Sequence, residues 1–200
     1  MSRSSHQAMI LSTALIAVIA STAAAQAPEV PAARGTSIAF ESDVLSFGIN
    51  GYSAMLNVSF ANGFQVALGT GRYDVPAFLL EGDDNYETAE WKATSTSVQV
   101  LRATYRFHGP RTSGPALGAV VLNQNWRLRS APLAGETRFR PLSVGITGGW
   151  YIHLTRHLYV YPTAAFTYND VVSGSASING TEYHVASFAP NGSLHMGWAF

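Results

Sequence analysis

The sequence predicts an all-β fold, an eight-stranded antiparallel up-and-down transmembrane β-barrel with its apolar face turned outward. Three observations predict it. Charge is scarce: of 200 residues only 12% are charged, 12 Lys+Arg against 12 Asp+Glu, while 47% are hydrophobic. An ordinary soluble domain carries about 25% charged residues at similar apolar content. Beyond residue 36 the apolar residues recur with period 2, which marks strands with two different faces. The turn signals between these stretches keep the apolar residues on one common face.

The same composition excludes other classes. A net charge of zero without a basic run argues against a nucleic-acid partner, which requires a positive patch to displace counterions. The lack of cysteine removes thiolate metal sites, disulfide scaffolds and cysteine nucleophiles. No cofactor is implied.

The first element is a targeting segment. Arg3 and His6 precede an apolar run over 8–20, and the small residues at 23 and 25 fit an A-x-A cleavage site. The run is too short to span a bilayer comfortably. Residues 1–25 are therefore expected to be a signal peptide cleaved after about Ala25. Residues 26–36, with Pro28 and Pro31, read as a flexible lead-in, and residues 37–200 as the barrel.

Strands are expected over 38–49, 52–60, 64–73, 92–107, 115–129, 139–154, 158–171 and 185–200. In the second, Tyr52, Ala54, Leu56, Val58 and Phe60 oppose Ser53, Met55, Asn57 and Ser59. The stretch 92–107 changes phase near Val100 and Leu101, which suggests a bulge. In the fifth, Gly118, Val120, Leu122, Trp126 and Leu128 oppose Val121, Asn123, Asn125, Arg127 and Arg129. The sixth is clearest, with Leu142, Val144, Ile146, Trp150, Ile152 and Leu154 against Ser143, Thr147, Tyr151 and His153. In the last strand Leu194, Met196, Trp198 and Phe200 alternate with Ser193, His195, Gly197 and Ala199, although Asn191-Gly192 offers a turn that would split it.

Asn50-Gly51 reads as a two-residue hairpin with Ile49 and Tyr52 facing each other. Three-residue turns at 61–63 and 155–157 set Phe60 opposite Phe64 and Leu154 opposite Leu158. The long connections 74–91, 130–138 and 172–184 share one end with 50–51. The first of these is acidic, with Glu81, Asp83, Asp84, Glu87 and Glu90.

The apolar face carries Leu, Val, Ile, Phe and Trp almost without charge, which suits lipid. The polar face is rich in small residues, which suits a narrow eight-stranded lumen filled by side chains. A charge at the lipid-facing midplane costs about 2–4 kcal/mol for Arg or Lys. Arg102, Arg106, Arg127 and Arg129 are accordingly expected in the lumen. With Gln65, Asn57, Asn123, Tyr151, Tyr159, Tyr161 and His195 they would form a packed polar network. Phe60, Phe64, Tyr105, Phe107, Trp126, Trp198 and Phe200 near strand ends fit interfacial girdles.

With its A-x-A signal, its alternating strands and its last strand over 194–200, the chain resembles the small bacterial outer-membrane β-barrels of the OmpA/OmpX or OmpW type. The resemblance implies a cell outer-membrane location, outer-membrane lipids as surroundings and a monomeric barrel. It also implies that Leu194, Met196, Trp198 and Phe200 are read by the barrel assembly machinery. No motif within the class singles out one family.

Chemistry is sparse. No His pair has the two-residue spacing that would aim two ligands from one strand face, so no metal is expected. Some barrels of this class act on lipid A, and Ser187, His184 and Asp170 near the outer rim could supply nucleophile, base and orienting acid. A structural or surface-interaction role without catalysis is the primary expectation. A narrow channel or lateral carrier is the alternative, since Pro162 and Pro190 each delete a ladder donor.

Overall fold

The computed structural model describes residues 35–200. The expected signal peptide and most of the lead-in lie outside the described residues. The strands are β1 (Ser37–Asp43), β2 (Tyr52–Ser59), β3 (Phe64–Asp74), β4 (Lys92–Arg106), β5 (Gly114–Ser130), β6 (Gly135–His153), β7 (Leu158–Gly174), β8 (Ser177–Ile178), β9 (Thr181–Glu182) and β10 (Phe188–Ala199). Two short helices, α1 (Ala77–Leu80) and α2 (Tyr86–Ala89), lie between β3 and β4. Eight strands close in the order β1-β10-β7-β6-β5-β4-β3-β2, every neighbour antiparallel. Closure comes from β1 pairing β10, with Ala39 opposite Ala199 and Glu41 opposite Gly197. A closed sheet leaves no unpaired edge, which a hydrocarbon environment requires.

Period 2 decides the two faces. Large apolar side chains stand on the outer wall: Leu68 is 61% exposed, Ile146 65% and Phe166 52%. Asn57, Gln65, Thr104, Tyr151 and Tyr161 are fully enclosed within the barrel. The outward row of β10 from Phe188 to Trp198, at about 3.3 Å per residue and a tilt of about 40°, rises about 25 Å, the height of a barrel's apolar band. At the end with short turns, Phe60, Phe64, Tyr105, Phe107, Trp198 and Phe200 form an exposed aromatic rim. The 61–63 turn that builds part of it uses Gly63 at φ 88°, and the Asn62 side chain accepts from the Phe64 amide at 3.0 Å. Trp126 does not join this rim. It lies inside the barrel, where Nε1 donates to Gln124 Oε1 at 3.0 Å.

Three other expectations change. The first strand stops at Asp43, and Val44–Ile49 form a 3₁₀ turn capped by the Asp43 side chain. Asn50 ends that turn in the left-handed region (φ 52°), so Asn50-Gly51 is a cap rather than a hairpin. The Asn-Gly hairpin occurs instead at Asn179-Gly180, both at positive φ, where it joins β8 to β9. The β4 bulge falls between Ser95 and Ser97, not near Val100. The last stretch stays one strand as its alternation predicts: β10 runs unbroken through Asn191 and Gly192, which pair with Ala165 and Ala164.

Pro162 marks a gap. The β6–β7 ladder holds at Gly149↔Thr163 and at Ile152↔Val160, and no pair forms between them. The register is the same on both sides, so the defect is a missing rung rather than a bulge. On its other side Pro162 still pairs with Leu194. Pro162→Val is expected to restore a donor and raise stability by about 0.5–1 kcal/mol, a hydrogen bond's net value lessened by the freer unfolded chain. The midpoint of urea unfolding in detergent measures it. No rise would mean that other residues hold the strands apart.

Candidate functional site

The lumen is organised on one carboxylate. Glu41, on the inward face of β1, is 3% exposed. Its Oε1 accepts from Arg102 Nη2 at 2.6 Å, and its Oε2 accepts from Tyr159 Oη at 2.9 Å and from Asn57 Nδ2 at 3.2 Å. Arg102 Nη2 also donates to Asn57 Oδ1 at 3.2 Å. His195 Nδ1 stands 3.2 Å from Glu41 Oε1 without making a hydrogen bond. Away from water, attraction between the Glu41 carboxylate and the Arg102 guanidinium is strong. Each ion's desolvation is offset only because further polar groups satisfy the carboxylate. The cluster ties β1, β2, β4, β7 and β10 across the barrel.

A second layer lies toward the short-turn end. Tyr151 and Tyr161 stack with centroids 3.8 Å apart and planes 9° from parallel. The Arg106 guanidinium sits 3.7 Å from the Tyr151 ring centre, and Arg102 sits 5.1 Å from that of Tyr161. Such placement lets the ring faces compensate cations that have few carboxylates to meet. Arg106 Nη2 is 2.9 Å from His153 Nε2 and donates to the Thr112 carbonyl at 3.1 Å. Tyr151 Oη donates to Gln65 Oε1 at 2.6 Å. A Cβ at Gly197 would overlap the Tyr159 ring, so glycine there makes room for the aromatic layer.

The other mouth is closed by a water-side core. Leu80, Ala89, Trp91, Ala93, Leu128, Phe139 and Ile178 are buried together. The connections over 74–91, 131–134 and 175–187 interlock above them. Trp91 Nε1 donates to Asp83 Oδ1 at 3.0 Å, Asn85 Nδ2 to the Glu182 carbonyl at 2.8 Å, and Asn179 Nδ2 to the Leu133 carbonyl at 2.8 Å. Tyr183 packs edge-on to Trp91 at 6.1 Å. Burial, and secondarily the Asp83 carboxylate, push the Tyr183 phenol up to about 12. A raised folded pKa means that the contribution of Tyr183 to the cap's stability is fully present below the ordinary tyrosine value of about 10 and is lost as pH rises through about 12. Tryptophan emission is expected to shift red across that window, and Tyr183→Phe to remove the transition. An unchanged transition in Tyr183→Phe would assign it elsewhere.

The structure places Arg102, Arg106, Tyr151, Tyr159, Tyr161 and His195 in the lumen. It places Arg127 and Arg129 elsewhere, as a correction to the expected network. Both stand on the outer wall, with Leu128 between them buried inside. The reason is height. β5 and β6 run past the apolar band, and above it the outside is water while the inside holds the apolar cap. Polarity therefore inverts along one strand. Asn123 is likewise outside, donating to Gln99 Oε1 at 2.7 Å. Arg127, Arg129 and Arg138 share Glu136 at 3.7, 2.7 and 3.5 Å. The hydrogen bond from Arg129 holds the Glu136 carboxyl below the usual carboxylate range.

Ser187, His184 and Asp170 show no mutual hydrogen bond or ion pair among the described residues. His184 engages Asp83, with its amide donating to Oδ2 at 2.6 Å and its ring 3.5 Å away. Asp170 lies opposite Leu142 in the register, and the Ser187 carbonyl accepts from the Asn169 amide. Met196, Trp198 and Phe200 point outward and are exposed, with Leu194 half-buried on the same face. No group of three or more potential metal ligands occurs among the described residues. Sequence reasoning missed Glu41. Its signal was an acid alternating with Ile38 and Phe40, placed on the face shared with Ser37 and Ala39.

A closed eight-stranded sheet, an apolar outer wall and a packed polar interior define a small β-barrel of the membrane-spanning class. No protein-family model matches the chain, and no curated protein sequence does. Among solved structures it is similar to Neisserial surface protein A, at 15% identity and TM-score 0.43, covering 82% of this chain and 92% of that one. It is also similar to the N-terminal β-barrel domain of Pseudomonas aeruginosa OprF, at 13% identity and TM-score 0.48, covering 84% and 98%. A major outer membrane protein from Thermus thermophilus matches at 12% identity and TM-score 0.49, covering 83% and 100%.

Proposed function

We propose that the protein is a small bacterial outer-membrane barrel with a structural or surface-interaction role, non-enzymatic and closed to solutes. The single observation carrying this reading is the lumen, bridged by the Glu41–Arg102 cluster and stacked tyrosines and capped by the Trp91 core. The acidic 74–91 connection is the outward surface. The row Leu194, Met196, Trp198 and Phe200 is the segment read by the barrel assembly machinery, and outer-membrane lipids surround the wall.

The refolded protein should insert into planar bilayers without steady single-channel conductance, and it should run as a heat-modifiable band from the membrane fraction. Discrete conductance steps would return the narrow-channel alternative. Recovery as a soluble periplasmic monomer would defeat the membrane reading. The lipid-directed enzyme reading finds no support in the pairing of His184 with Asp83.

A further inference from the structure

We infer that the outer wall of β4–β6 just above the apolar band binds the phosphate groups of an anionic outer-leaflet lipid. The inference rests on the membrane-spanning reading above and adds a ligand to it. Lys92, Arg127, Arg129, Arg138 and Arg140 occupy one patch of this wall. Lys92 lies directly opposite Arg129, and Arg127 directly opposite Arg138. Like charges set opposite each other across antiparallel strands repel and destabilise the pair. Among the described residues one carboxylate, Glu136, reaches three of the arginines, and none lies within ion-pair distance of Lys92 or Arg140. Three other acids stand at the edges, and Glu90, two residues before Lys92, forms no ion pair among the described residues. Asp74 is engaged by Thr94 at 2.8 Å and Asn50 at 3.3 Å, and Asp170 sits one strand away opposite Leu142. The patch therefore keeps an uncompensated positive charge in a chain whose formal net charge is zero.

Its height selects the partner. Directly below it on β6 the same wall continues as Leu142, Val144 and Ile146, the last two well exposed. Two residues along a tilted strand rise about 5 Å, so Arg140 and Arg138 stand about 5–10 Å above Leu142, the depth of the headgroup layer. The Arg129 and Arg138 side chains are 57% and 73% exposed, free to turn toward a ligand. Guanidinium forks match phosphate geometry in pairs. A soluble anion would not need the patch at this depth, whereas a lipid phosphate is held there by its own acyl chains.

The test refolds the full chain into phosphatidylcholine vesicles containing either bisphosphorylated lipid A or its dephosphorylated form, each carrying a fluorescent acyl label. Energy transfer from the protein's tryptophans reports lipid enrichment at the wall. The phosphorylated form should be enriched, and Arg127→Ser with Arg138→Ser should reduce that preference by about fivefold per arginine. Glu136→Gln should increase it, an outcome that misfolding cannot imitate. Inorganic pyrophosphate at millimolar concentration should leave the enrichment in place. Folding into vesicles with equal transfer from both lipids would overturn the inference while leaving the barrel intact. Displacement by pyrophosphate would overturn the lipid source. Failure to fold into either vesicle would overturn the membrane reading beneath it.

Discussion

Glu41→Ala is expected to lower the stability of the barrel by about 3–5 kcal/mol, the cost of leaving a buried cation without its partner. Arg102 would lose its 2.6 Å ion pair, and Tyr159 and Asn57 would lose their acceptor at the same moment. Urea unfolding of the refolded protein, followed by the heat-modifiable gel shift, measures the loss. Replacing both partners, Glu41→Leu with Arg102→Met, should recover most of it, because the penalty belongs to the stranded charge more than to the lost attraction. Asn57→Ala alone should cost about 1 kcal/mol. A double variant as unstable as Glu41→Ala would show that the lumen depends on shape rather than charge.

Trp91→Ala is the second large effect, but it is confined to the cap. Trp91 is 1% exposed, holds Asp83 through its indole nitrogen and packs on Tyr183. Its removal should cost about 3–5 kcal/mol of local stability, as truncating a large buried aromatic does. The barrel has its own core, so urea unfolding should move little while proteolysis within 74–91 becomes fast. Coincident loss of barrel and cap would show that the two fold as one unit.

Much of the wall was legible beforehand. Strand number, order and the outward rows of β2, β6 and β10 follow from alternation, because side chains on a pleated strand point to opposite faces. The β5 faces were not legible. There Leu117 and Val121 alternate with Val120 and Leu122, so both faces carry apolar residues, and the arginines suggested a lumen that they do not enter. Asn50-Gly51 and Asn179-Gly180 are the same dipeptide, but Gly51 N donates to the Ser46 carbonyl and closes a 3₁₀ turn, whereas Gly180 takes a positive φ between the paired residues Ile178 and Thr181.

By itself the sequence determined the eight strands of the barrel, the oily exterior and the acidic connection, since each depends on residues near one another along the chain. Tertiary structure alone decided that Glu41 meets Arg102 across 61 positions, that the Trp91 core closes one mouth, and that the arginines of β5 and β6 gather outside. Those pairings depend on which strands become neighbours when the sheet closes and on how far each rises above the bilayer. Neither quantity is encoded in the period of any single strand.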